Sequence, residues 1–212
     1  MGFFLALTLV VLLDGHQLAR LDSAVERTVR QWVTTRPAIV RVAEAITWLG
    51  NPLVVTAVVV VLALLLYARG ARPAAVYLAA TAAGGALLNA SVKLLVERTR
   101  PATVDHLVAA HGFSYPSGHA AAGIYLFGAL SVLALLLVPG RLGRRIALAA
   151  CVVGPLIGIS RIVLSVHWLT DVLAGCALAL AWLSLTTSVL LRVEQPQRGP
   201  DLQVQPRDER LG

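Results

Sequence analysis

The chain is poor in charge and in chemistry-bearing sulfur. Only 14% of its 212 residues are Asp, Glu, Lys or Arg, Lys93 is its single lysine, and there are two cysteines and one methionine. So little charge excludes an ordinary soluble globular domain. Cys151 and Cys176 both lie inside apolar runs, which excludes a disulfide framework and reads as small-residue packing. No His-Glu-x-x-His and no cluster of carboxylates occurs, so a metal centre lacks ligands and no metal or other cofactor is expected. Asp105, His106 and His111 are too irregularly spaced for a ligand set and read as solvated loop residues. The net charge of +7 comes almost wholly from arginine. Those arginines are scattered at the ends of apolar runs instead of forming one basic stripe, which argues against nucleic acid as a partner. The apolar start lacks a basic flank and a small-residue cleavage site, against a secretory signal. Ala6 stands where myristoylation would need Ser or Thr.

What the chain does have is hydrophobic length. Apolar residues make up 58% of it, and runs of about 20 recur, the length that crosses a bilayer as a helix. The expectation is an all-α integral membrane bundle of about six transmembrane helices. The first, Phe3 to Leu13, is short. An amphipathic segment, Leu18 to Trp32, follows, with Leu21, Val25, Val29 and Trp32 at helical spacing and charges on its other faces, as in a helix lying on the membrane surface. Further spans are expected at about Ile46–Tyr67, Ala74–Val96, the Pro-Ser-Gly-His turn to Val138, Ile146–Ile159 and His167–Leu191. An irregular segment, Ala102–Tyr115, and a short basic loop, Pro139–Arg145, connect them. Residues 1–192 form one membrane domain. Residues 193–212, polar and rich in proline, form a disordered tail.

Antiparallel threading brings the ends of the third and fifth spans and the starts of the fourth and sixth to one face. Three polar clusters meet there: Lys93 to Pro101, Pro116 to His119, and Ser160-Arg161 with His167 and Asp171. Arg69, Arg72, Arg141, Arg144 and Arg145 fall on the opposite face, which the positive-inside rule makes cytoplasmic. The polar clusters would then face outward from the cell membrane. Arg20, Arg27, Arg30, Arg36 and Arg41 run against that rule, with Asp22, Glu26 and Glu44 available to compensate.

Ionisable groups at the ends of membrane helices are costly and are read first as functional. His167 and Asp171 are four residues apart, so on a helix the carboxylate can reach a ring nitrogen, fix the tautomer and favour the imidazolium of a nucleophile or base. His119 follows Ser117-Gly118 at a helix start, where unpaired N–H groups and the helix dipole favour an anion, and it can protonate a leaving oxygen. Lys93, Arg100 and Arg161 supply three cations for phosphate oxygens. Pro101 disfavours helix at Arg100 and lets the chain splay there.

These stretches, KLLVERTRP, PSGH and SRIVLSVHWLTD, resemble the three signature motifs of the type-2 phosphatidic acid phosphatase superfamily, which includes the vanadium haloperoxidases. Every signature position is filled, in order, over residues 93 to 171. The resemblance implies a metal-independent lipid phosphatase of the cell membrane, with the site at the outer membrane–water boundary, and the Ala- and Arg-rich, Lys-poor composition points to a bacterium. Its substrate would be a lipid phosphate monoester or diphosphate of the phosphatidate, phosphatidylglycerophosphate or polyprenyl diphosphate type. By position, His167 attacks phosphorus, Asp171 orients it, and His119 is the general acid. Lys93, Arg100, Ser117, Gly118 and Arg161 hold the phosphoryl oxygens. A lipid phosphotransferase of the same fold is the alternative. An anion transporter is more distant, since the charges sit at span ends and no repeat is present.

Overall fold

The computed structural model describes residues 1–13, 15–101 and 112–194. Among them every regular element is helical: α1 (Gly2–Leu13), α2 (Gly15–Thr34), α3 (Pro37–Trp48), α4 (Pro52–Ala68), α5 (Arg72–Val96), α6 (Gly118–Leu137), α7 (Gly140–Val163) and α8 (Leu169–Glu194). Four of these, α5 to α8, are long and apolar enough to cross a membrane. The number rises to six if the bent pairs α1–α2 and α3–α4 each count as one span. At 1.5 Å per residue α1 extends about 18 Å, well short of a 30 Å hydrocarbon layer. Leu53, Leu87, Leu95 and Leu148 are all more than two-thirds exposed, as lipid-facing residues must be.

Most of the expected spans fall within a few residues of these helices, with two differences. The span expected over Ile46–Tyr67 is broken: α3 and α4 meet at a 43° bend. Asn51 caps α4, its side chain accepting from Leu53 N–H at 2.9 Å, and Pro52 opens that helix because it needs no N–H partner there. The basic stretch expected as a loop is already helical, since α7 begins at Gly140 and carries Arg141, Arg144 and Arg145 in its first turns. α8 continues to Glu194. The rest of the expected tail lies outside the described residues, as do Asp105, His106 and His111.

α6 occupies the centre and packs against α4, α5, α7 and α8. It meets α7 backbone to backbone, for a Cβ added at Gly123 would lie 2.7 Å from the Gly154 carbonyl oxygen. Gly158, one turn on, faces Val172 and Ala120. The Gly154-x-x-x-Gly158 pair therefore packs helices within the chain. Far from the polar clusters, α5 and α8 are joined by Tyr77–Thr187 and Thr81–Thr186 hydroxyl pairs, each 2.9 Å apart. α1 buries Phe4 beside Tyr115 and Leu178, and Thr8 and Tyr115 share a hydrogen bond of 2.7 Å. That contact ties the N-terminal helix to the segment entering α6.

The amphipathic segment is helical, but its faces differ from expectation. α2 contacts α1, α3, α7 and α8, turning Val33 and Asp22 fully inward, while Leu21 and Trp32 are half exposed. Asp22, expected among the outer compensating charges, is 1% exposed.

Because the α6–α7 contact is between backbones, no rotamer change can relieve an added side chain. Gly123→Val should destabilise the bundle by about 1–3 kcal/mol, read as a lowered midpoint in thermal unfolding of the detergent-solubilised protein.

Candidate active site

The three clusters reach one place because two left-handed residues turn the chain between their members. α5 stops at Val96 and Glu97 takes φ 48°, so Lys93 remains on the helix while Arg98 and Arg100 leave it. The helix thus ends at Val96, where the expected span ended, and Arg100 lies in the non-helical stretch before Pro101. In the third cluster Ser165 takes φ 54°, between Arg161 on α7 and His167 ahead of α8. Each such residue costs on the order of 1 kcal/mol or more. A continuous helix would have pointed these side chains in other directions.

The cations are held by backbone carbonyls. Lys93 Nζ donates to the carbonyls of Phe113 at 2.8 Å and Pro116 at 3.1 Å. Arg100 donates from Nε to Gly112 O at 2.9 Å, and from its terminal nitrogens to Val166 O at 2.8 Å and Phe113 O at 3.3 Å. Arg161 is 5% exposed and donates to the Thr47 hydroxyl at 2.8 Å. Its Nε is buried without a hydrogen-bond partner. Backbone carbonyls thus fix Lys93 and Arg100, and the Thr47 hydroxyl fixes Arg161, the kind of preorganisation that electrostatic catalysis requires.

His167 has two distinct faces. Its Nε2 lies 3.1 Å from an Arg100 nitrogen. A guanidinium can only donate, so Nε2 presents its lone pair and the ring proton sits on Nδ1. Nδ1 in turn faces Asp171 Oδ2 at 3.4 Å. That carboxylate oxygen also accepts from Trp168 N–H at 3.0 Å. Burial pushes the imidazole down to about 4, against the upward pull of Asp171, with Arg100 and Arg161 lowering it further. The neutral ring with an unprotonated Nε2 is the form able to attack an electrophile.

His119, in the first turn of α6, completes the cluster. Arg161, His167, Arg100 and Lys93 all lie within electrostatic reach of its ring. Ser117 caps α6, its hydroxyl oxygen 3.5 Å from Ala120 N, and its own N–H donates to the Asp171 carbonyl at 2.9 Å. Gly175 makes that approach possible, since a Cβ there would lie 2.5 Å from Ser117 O. Gly118 packs against the Asn89 side chain. All eight residues expected to form the site, Lys93, Arg100, Ser117, Gly118, His119, Arg161, His167 and Asp171, thus occupy one end of the bundle. Among the described residues no three His, Cys, Asp or Glu side chains are grouped as a metal ion would need.

Sequence reasoning missed several neighbours. Arg98, a spacer within the first cluster, donates to Asp171 Oδ1 and to Asp22 Oδ2, both at 2.7 Å. Thr47 anchors Arg161. Gly50, in the α3–α4 bend, lies against the His119 ring, 3.3 Å from where its Cβ would stand. Asn89, one turn before Lys93, is buried with its amide nitrogen unpartnered. An odd polar residue on an apolar helix was the only available signal for Asn89. Nothing in the pattern linked Asp22 to Arg98.

These features define a multi-pass helical membrane protein in which cations and histidines gather where four helix ends converge. The PAP2 superfamily model matches residues 73–194, and the chain belongs to that superfamily. Phosphatidylglycerophosphatase B of Bacillus subtilis (strain 168) is 40% identical over 96 residues, covering 44% of this chain and 47% of that relative. The chain thus aligns with about half the length of this curated relative. It also resembles the crystal structure of the first transmembrane PAP2 type phosphatidylglycerolphosphate phosphatase from Bacillus subtilis. In that comparison the TM-score is 0.77 and the identity 28%, over 91% of this chain and 94% of that one.

Thr47 is the only side-chain hydrogen-bond acceptor given to Arg161 among the described residues. Thr47→Val should loosen that guanidinium and weaken inorganic phosphate binding about 10-fold, the cost of a hydrogen bond to a charged group. Competitive inhibition or calorimetric titration measures it.

Proposed function

We propose that this chain is a lipid phosphatase. It hydrolyses a lipid phosphate monoester, with phosphatidylglycerophosphate the favoured substrate, through a phosphohistidine intermediate and without a divalent metal. The convergence of Lys93, Arg100, Arg161 and His167 on His119 is the observation that carries this reading. It joins a nucleophilic nitrogen, a proton donor and a cluster of positive charge. The named activity of the two Bacillus relatives supports the headgroup. An apolar groove of about 310 Å³ between α4 and α5 supports a lipid tail. Pro52 and Ala86 line its end towards the site, and Tyr125 and Val59 line it deeper in the bundle. A larger groove, about 530 Å³, lies between α5 and α8 beside Arg72 and Trp182. It opens at the other end of the bundle, remote from both histidines.

In the first step the Nε2 lone pair of His167 forms a bond to phosphorus while the bond from phosphorus to the leaving oxygen breaks. The departing oxygen takes a proton from His119. The ring is now cationic, with Nδ1–H directed at Asp171, which stabilises it. Lys93, Arg100, Arg161 and the N-terminal end of α6 at Ser117 and Gly118 take the charge on the equatorial oxygens of the five-coordinate transition state. In the second step water gives its proton to His119 and its oxygen to phosphorus, and the N–P bond returns its pair to Nε2. The arginines of the opposite end, from Arg69 to Arg145, support an extracytoplasmic site by the positive-inside rule.

Purified protein should release phosphate from phosphatidylglycerophosphate in detergent with EDTA present. His167→Ala should abolish release by on the order of 10⁴-fold or more while remaining folded. Release that needs added Mg²⁺, or that survives in His167→Ala, would sink the proposal.

The pH dependence has a definite sign. Burial lowers the His167 value, so its reactive neutral form persists as pH falls through the ordinary histidine range and is lost only towards pH 4. The His167 limb of kcat/KM should therefore lie near pH 4. The unfolded chain binds that proton first, so stability should begin to fall once pH drops below about 6.5.

A further inference from the structure

We propose that Asp22, on α2, is a positioning residue for the reaction, acting through Arg98 on the carboxylate that faces His167. This rests on the phosphohistidine reading given above and adds a residue outside all three signature clusters. Asp22 belongs to the second helix, about 150 positions from the histidine it serves.

The network is continuous and largely buried. Asp22 Oδ1 accepts the Thr170 N–H at 3.0 Å, and Oδ2 accepts the Thr170 hydroxyl at 2.6 Å and an Arg98 nitrogen at 2.7 Å. The other terminal nitrogen of Arg98 donates to Thr170 Oγ1 and to Asp171 Oδ1, both at 2.7 Å. Asp171 then uses Oδ2 for Trp168 N–H and for His167. Both carboxylates are essentially unexposed, and the Arg98 side chain is 16% exposed. The guanidinium also lies over the Trp168 ring, 5.8 Å from its centroid.

Charge counting shows what Asp22 contributes. One guanidinium stands between two carboxylates, so the group keeps one negative charge, and the edge that meets His167 is an Asp171 oxygen. Without Asp22, Arg98 and Asp171 would cancel. The carboxylate would then be drawn towards Arg98 at the moment the imidazole becomes cationic on bonding to phosphorus. Asp22 thus gives Arg98 a second anchor and leaves Asp171 free to hold the Nδ1–H in line. A purely structural role accounts poorly for the arrangement, since desolvation offsets most of the Coulomb gain of a buried ion pair. Thr170 crosslinks the two carboxylate systems by donating to Asp22 and accepting from Arg98, fixing their register at the first turn of α8.

The test is Asp22→Asn, which keeps the shape and removes the charge. It should lower kcat for phosphatidylglycerophosphate about 10- to 100-fold, the scale of a misplaced catalytic group. KM should stay within about twofold, because no phosphate-contacting cation belongs to the network. Orthovanadate, which adopts the five-coordinate geometry of the transition state, should lose affinity in step with kcat. Inorganic phosphate, a ground-state anion, should inhibit as in the wild type. Wild-type kcat in Asp22→Asn, or equal weakening of phosphate and vanadate, overturns the proposal, the second result marking general collapse of the site. Should Asp22→Asn not yield monodisperse protein, Thr170→Val breaks the crosslink with every charge retained. It should give a smaller change of the same kind, and an unchanged kcat with unchanged vanadate inhibition overturns the proposal equally. A wild-type protein that releases no phosphate refutes the phosphatase reading itself, a separate result from an active wild type with an indifferent Asp22 variant.

Discussion

One carboxylate with no exposed surface organises this end of the bundle. Asp171 faces Arg98, Trp168 N–H and His167, and its backbone carbonyl receives the N–H of Ser117. A buried charge is tolerable only when it is paired and hydrogen-bonded. That requirement fixes much of the surroundings. The chain must leave α5 at Glu97 so that Arg98 can turn back, α8 must begin beside the start of α6, and α2 must lie against the start of α8. The helices carry the polar groups to one boundary, and satisfying Asp171 sets their distances.

The bundle and the main outline of the site were legible in the sequence for a simple reason. Lys93, His119, Arg161 and His167 interrupt apolar runs at their ends, where an ionisable residue has no cheap explanation. Hydrophobic length gave the span positions to within a few residues. The α3–α4 bend was less visible, because the local cap of Asn51 and Pro52 overrides an apolar run that otherwise reads as continuous. The faces of α2 were legible only in part. Val25 and Val29 are half-buried as their spacing suggests, but Asp22 is buried outright, because a partner 76 positions away, Arg98, makes its burial favourable. Periodicity records which residues prefer to leave water. It carries no information about which charge waits on another helix.

The same limit explains Thr47 and Gly50. Each serves the site by contact, one holding Arg161 and the other giving way to His119, and neither belongs to a pattern along the chain. Both come from the broken α3–α4 stretch, so the departure from a straight span is also what brings that stretch against the catalytic end. Local irregularity and missed residues coincide here because a kinked segment offers backbone and small side chains where a regular helix would offer only a wall.

The backbone contact of Gly123 with Gly154 has a mechanical consequence. At that crossing peptide groups meet directly, with no side chain there to re-pack, so α6 and α7 form a stiff keel carrying His119 and Arg161. Across the bundle, α4 and α5 are lined by alanines and valines and enclose the groove beneath Pro52, a seam with compliance. A change of separation between α4 and α5 can therefore be taken up at that groove with the spacing of His119 and Arg161 left as it is.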